Sequence, residues 1–163
     1  MSAKKKLTDR EIKVLGKLLK KVRPIPNIPR ELFLPIMSKN VPATTELAII
    51  RKGSLLLTYR DDDFYKGWHF PGSFMSPGDT FEKSCRRVAF DETGLRPKKC
   101  SLLSAAVYSR DKRFPCASLF FKCSVVGVSK HGRWFRAMPK DIIPSHKPLW
   151  KIALGAIRAG KKQ

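Results

Sequence analysis

The stretch that most constrains this chain is residues 67–95, Gly-Trp-His-Phe-Pro-Gly-Ser-Phe-Met-Ser-Pro-Gly-Asp-Thr-Phe-Glu-Lys-Ser-Cys-Arg-Arg-Val-Ala-Phe-Asp-Glu-Thr-Gly-Leu. A loop punctuated by Pro71, Gly72, Pro77 and Gly78 feeds a helix predicted over 80–93, which Gly94 stops. Phe81, Cys85 and Ala89 recur every four residues, so one face of that helix is apolar and packs on a sheet. Arg87 and Asp91 stand at ion-pair spacing. Val88, Asp91 and Glu92 cluster at i, i+3 and i+4, so two carboxylates converge at the C-terminal end of the helix. Acidic groups there oppose the helix dipole, at a cost of ~0.3–1 kcal/mol each. A bound divalent cation offsets that cost. Few, hard oxygen ligands suit magnesium, which takes one or two carboxylates plus substrate phosphates.

The rest of the chain is read around that segment. Residues 8–22 predict an amphipathic helix, capped by Thr8 or Asp9, with Ile12, Leu15, Leu18, Leu19 and Val22 on one side and lysines opposite. Pro24, Pro26, Pro29, Pro35 and Pro42 then predict an extended arm wrapping the domain, with Ile28, Leu32, Phe33, Leu34, Ile36 and Met37 packed down. From residue 44 the pattern changes to strands. Residues 46–51 and 54–60 flank Lys52-Gly53, a tight hairpin turn. Further strands are predicted at 68–70, 101–109, 117–126 and 133–137, and a last helix at 149–159. The division expected is residues 1–43 for the basic helix and arm and 44–163 for the body. The fold class is α+β, a mixed or antiparallel sheet sandwiched between helices.

Residues 73–95 resemble the Nudix box. That motif is a Gly, five residues, Glu, seven residues, Arg-Glu, an apolar residue, any residue, Glu-Glu, any residue, Gly and an apolar residue. Arg87, Glu92, Gly94 and Leu95 match it; Asp79 and Asp91 stand in for glutamates, and Ala89 fills the apolar place. Ser73 replaces a glycine, and Val88 replaces a metal-binding glutamate. The strand before the box and the lead-in Trp68-His69-Phe70-Pro71-Gly72 are similar to the family's as well.

The resemblance implies a Nudix fold and hydrolysis of a nucleoside diphosphate joined to another group, a nucleotide sugar above all. It implies magnesium, or manganese in its place, held by Glu92, Asp91 and Asp79, with Arg87 organising the box carboxylates. Valine at position 88 removes one negative charge, so fewer metal ions are expected. The branch that hydrolyses GDP-mannose also has a thinned box, and its base is a His before a Trp near the last strand. His131, which precedes Trp134 at a shorter interval, is the corresponding candidate; the competing reading is a turn His beside Gly132. Arg60, Trp68 and His69 are the candidate substrate contacts, with His69 alternatively a hydrogen-bonded structural residue. Aromatic faces at Trp68, Tyr65 and Phe64 suit a nucleobase. Asp61-Asp62-Asp63 reads as a solvated turn. His146, between two prolines, carries no argument. Members of the family often form dimers, which makes a homodimer an expectation here.

Charge supports a rival reading. The chain carries a net +21, concentrated at its two ends. Positive charge steers a nucleotide-type substrate towards the site, or its basic termini hold nucleic acid without reading sequence. The second option is a catalytically impaired Nudix-fold protein acting as a nucleic-acid-binding or ribosome-associated module. No apolar stretch approaches the ~20 residues needed to cross a bilayer, and no membrane partner is expected. The four cysteines, without zinc-ligand spacing, are expected to be reduced and mostly buried in a cytoplasmic protein.

Overall fold

The computed structural model describes residues 6–24, 27–109 and 112–159. Pro26 and the outermost basic residues of the two termini, at 1–5 and 160–163, lie outside the described residues. The elements run α1 (Asp9–Leu19), α2 (Arg30–Met37), β1 (Ala43–Arg51), β2 (Ser54–Asp61), β3 (Lys66–His69), β4 (Gly72–Phe74), α3 (Phe81–Thr93), β5 (Arg96–Tyr108), β6 (Cys116–Val126), β7 (Arg133–Phe135) and α4 (Lys147–Ala159). A 3-10 turn at Pro144–His146 leads into α4.

The sheet is mixed, in the order β3-β2-β1-β6-β5, with β4 beside β1 and β7 beside β2. β1 is its hub. One edge runs parallel to β6 from Ala43↔Ala117 to Ile49↔Cys123. The other pairs first with β4 and then, through Ile50 and Arg51, with β2. The hairpin at Lys52-Gly53 forms as its sequence predicts, both residues taking positive φ, 48° and 75°, as a two-residue type I′ turn requires.

Alternation along β1 divides the core between two faces. Leu47 and Ile49 join Leu56, Phe121 and the α3 residues Cys85, Val88 and Ala89. Ala48 faces the other way, with Leu55, Leu57, Phe70, Phe120 and the α4 residues Leu149, Trp150 and Ala153. Helices on both faces complete the α+β sandwich.

The structure corrects two expectations. Part of the proline-rich arm is helical: α2 spans Arg30–Met37 with Pro35 inside it. A helix-interior proline costs about 3 kcal/mol, but packing recovers that cost. The Phe33 ring lies 5.7 Å from Phe74 and 5.6 Å from Phe114, and Met37 is only 3% exposed. Nor are all four cysteines reduced. Cys100 and Cys123 face each other across β5 and β6 with Cα atoms 4.4 Å apart and form a disulfide, while Cys85 and Cys116 are buried free thiols. α1 starts at the expected Thr8 cap, with Thr8 and Glu11 forming a reciprocal capping box, but ends at Leu19, short of the expected residue 22, and buries none of its residues.

Candidate active site

Packing of α3 sets the geometry of the carboxylates. Thr80 caps its start by accepting from the Lys83 N–H, and Gly94 ends it in the left-handed conformation at φ 73°. A Cβ at position 94 would meet the Lys130 side chain at 2.9 Å, and the Lys130 N–H donates to the Thr93 carbonyl at 2.9 Å. The turn that carries His131 is thereby fastened to the end of α3. Burial of Cys85, Val88 and Ala89, each at 0–1% exposure, anchors the other face of the helix. Glu92, one turn past Val88, is left half-buried at a cleft.

That cleft, about 170 Å³, is lined by Glu46, Arg60, His69, Glu92, Arg113 and His146 among others. Glu92 also borders a shallower depression with Asp91, Trp68 and His131. Burial raises the Glu92 carboxyl above its usual range; Asp91 adds to the rise, and Arg60 and His131 oppose it. A group whose charge is penalised in this way is relieved by a nearby cation. The donor set fits a hard divalent ion: two carboxylates from adjacent helix positions, with room for phosphate and water oxygens.

Asp79 and Arg87 sit apart from both hollows, engaged with each other. The Arg87 guanidinium donates to the Asp79 carboxylate and to the Phe74 carbonyl, each at 2.8 Å. Asp79 also accepts from the Ser76 N–H at 2.9 Å. The hydrogen bond from Arg87 and then that from Ser76 hold its carboxyl below the usual aspartate range. Arg87 therefore pairs with the loop acid, not with Asp91 one turn along the helix.

His69 is locked in place. Its Nδ1 lies 2.7 Å from the Phe70 carbonyl and its Nε2 3.2 Å from the Thr58 hydroxyl. A carbonyl only accepts, so Nδ1 carries the proton and Nε2 accepts from Thr58. Burial first, then the Arg60 charge, pushes the His69 pKa down to about 4. His146 accepts the Phe70 N–H at Nδ1, and burial pushes it down to about 3. Trp68 packs between Tyr59 and Phe135, its ring centroid 5.1 and 4.9 Å from theirs. The Asp61–Asp63 run forms a turn in which Asp62 accepts the N–H groups of Phe64 and Tyr65.

Of the residues singled out from sequence, the structure thus gathers Arg60, His69 and Glu92 in one cleft and Trp68, Asp91, Glu92 and His131 around the next. Asp79 and Arg87 form the latch that shapes the loop. Sequence reasoning missed Glu46, Arg113 and His146. Glu46 offered a signal, being the single carboxylate of β1; Arg113 reaches the cleft from the loop before β6 and His146 from the 3-10 turn before α4.

Comparison with known proteins agrees with this fold. The sequence pattern of the family described as NUDIX domain matches residues 41–153. An ADP-ribose pyrophosphatase of Methanocaldococcus jannaschii is 40% identical over 91 residues, 53% of this chain and 53% of that protein. The chain thus spans about half the length of that curated relative. Among solved structures, a MutT NUDIX hydrolase from Burkholderia pseudomallei superimposes with a TM-score of 0.62 at 18% identity, covering 71% of this chain and 97% of that one. The NUDIX domain of Shewanella oneidensis NrtR, complexed with ADP ribose, gives 0.60 at 16% identity, covering 93% and 99%. At such identities the likeness is one of fold.

Proposed function

The chain belongs to the Nudix family, and from that premise we propose that it is a magnesium-dependent hydrolase of a nucleoside diphosphate joined to a sugar. One observation carries the reading: the half-buried Glu92 shares its cleft with two arginines, Arg60 and Arg113. A carboxylate that gains from a cation, facing guanidinium groups that gain from phosphate, is complementary to a metal-bound diphosphate. The ADP-ribose pyrophosphatase relative and the ADP-ribose complex of the NrtR domain support that substrate class.

Glu92 and Asp91 would hold the cation. When bound, magnesium, or manganese in its place, neutralises the diphosphate and polarises a phosphoryl oxygen. The remaining work falls to the chain. Arg60 and Arg113 bind phosphate oxygens across the cleft. Arg87, through Asp79, fixes the loop that approaches α3, so the helix and its carboxylates are positioned before substrate arrives. His131, exposed beside Glu92, stands where it can take a proton from attacking water. Trp68, packed between Tyr59 and Phe135, borders the shallower depression where a base or sugar would sit. His69, with both ring nitrogens engaged, shapes the wall of the cleft. A cytoplasmic setting belongs to this reading; among the described residues no helix is long and apolar enough to cross a membrane.

The test is product release from ADP-ribose, other nucleoside diphosphate sugars, dinucleoside polyphosphates and nucleoside triphosphates, with magnesium, with manganese and with chelator. Metal-dependent turnover of a diphosphate sugar, lost in Glu92→Gln, is expected. The net charge of +21 favours one second reading, a nucleic-acid-binding protein without turnover. Absence of turnover on every substrate, with RNA or DNA binding that falls steeply as salt rises, would replace the first reading by the second.

A further inference from the structure

On the opposite side of α3 from its exposed surface, three sulfurs meet. Cys85 of α3 and the cross-strand pair Cys100 and Cys123 place their Sγ atoms within 4.8 Å of one another. Among the described residues no other group of three metal-capable side chains is so compact. Cys85 and Cys123 are each 1% exposed. Cys100 is half-buried, and together with Cys85 it lines a cleft of about 430 Å³.

We propose that the reduced trio is a zinc site, separate from the carboxylate centre, which fastens α3 to β5 and β6. Zinc–sulfur bonds of ~2.3 Å at tetrahedral angles set sulfurs about 3.8 Å apart, so the bonded sulfurs of Cys100 and Cys123 part on reduction, while Cys85 already lies within 4.8 Å of both. The ligands come from three elements that already pack together, so binding needs side-chain rotation and not a new fold. Three thiolates around Zn²⁺ leave one negative charge, and Arg86, Lys98 and Lys99 rim the same cleft. The cleft gives the fourth coordination position an opening to water.

Oxidation and metal binding exclude each other here. Cys100 and Cys123 are joined in the structure, so a dithiol reductant first supplies two electrons and two protons and leaves as its own cyclic disulfide. Zinc then displaces three thiol protons to solvent. The site thereby senses redox state at the helix that carries Asp91 and Glu92.

The test uses the whole chain, reduced, stripped with chelator and loaded with zinc. One zinc per chain is expected by native mass spectrometry. Cobalt in its place should give the sulfur-to-metal charge-transfer and visible bands of a tetrahedral thiolate site. Cys85→Ser should weaken metal uptake by about a hundredfold or more, while Cys116→Ser, outside the trio, leaves it unchanged. Protein with the disulfide intact should show none of those thiolate bands. If Cys85→Ser does not fold, Cys100→Ser, at the half-buried position, carries the same expectation. Reduced protein that binds no zinc, or a cobalt spectrum indifferent to the removal of either sulfur, would overturn the site. The latter outcomes mean a structural disulfide beside a buried, inert thiol, and they leave the hydrolase reading untouched.

Discussion

Arg87 and Asp79 meet at 2.8 Å, with side chains only 24% and 15% exposed, and so tie α3 to the loop that precedes it. The pair is worth more than a surface ion pair, because its removal leaves the other partner's charge largely out of water. Asp79→Asn should cost about 1–2 kcal/mol at neutral pH, read from urea denaturation. The folded Asp79 carboxyl lies below its usual range, so its contribution is present above the ordinary aspartate pKa. It is lost as pH falls through the depressed value. The deficit of the variant should therefore shrink towards acid; an unchanged midpoint at pH 7 would show that the latch is idle.

Glu92 has the opposite sign. Its folded pKa is raised, so its contribution favours folding below the ordinary glutamate pKa and is lost as pH rises through the raised value. At neutral pH, without metal, its charge is a burden. Glu92→Gln should then melt no lower than the parent, while turnover falls by about a hundredfold or more. Added magnesium should raise the melting temperature of the parent at pH 7 and leave that of the variant in place. A variant that unfolds, or one that keeps its activity, would remove Glu92 from the centre of the site.

Much of this could be read from the chain because its signals are local. Lys52-Gly53 and the Gly94 stop each act within a few residues, and the apolar run within residues 46–51 reads as a strand on its own. What stayed hidden depends on distant partners. Pro35 predicts extended chain until Phe33 is seen to have Phe74 and Phe114 to pack against. Cys100 and Cys123 look unrelated until the β5–β6 register sets them opposite each other. The same holds within the site. Arg87 has Asp91 at helical spacing, yet the loop folds back and offers Asp79 instead. Glu46, Arg113 and His146 become neighbours only once β1 lies beside β4 and β6 and the turn before α4 closes over them.

Val88 shows the limit of motif reading. The family places a glutamate there, but this valine is 0% exposed and packs among Leu47, Ile49, Leu56 and Phe121. Val88→Glu should therefore destabilise the metal-free chain by roughly 3 kcal/mol or more, the cost of burying an uncompensated carboxylate. Denaturation with and without magnesium checks this. Full recovery by magnesium would mean that position 88 opens onto the metal, not the core.

The two buried histidines predict how the fold responds to acid. His69 and His146 have folded pKa values of about 4 and about 3, against an ordinary 6.5. Between those limits the unfolded chain binds protons that the folded chain refuses, so stability rises with pH through that window and drains away as pH falls from 6.5. A displacement of this size corresponds to roughly 3 kcal/mol for His69 alone. Urea denaturation at steps from pH 7 to pH 4 should show a loss approaching two protons per molecule. His69→Gln, whose amide can still donate to the Phe70 carbonyl and accept from Thr58, should remove about one of them. A slope unchanged by that substitution would place the acid sensitivity elsewhere, and the wall of the cleft would not be what gives way first.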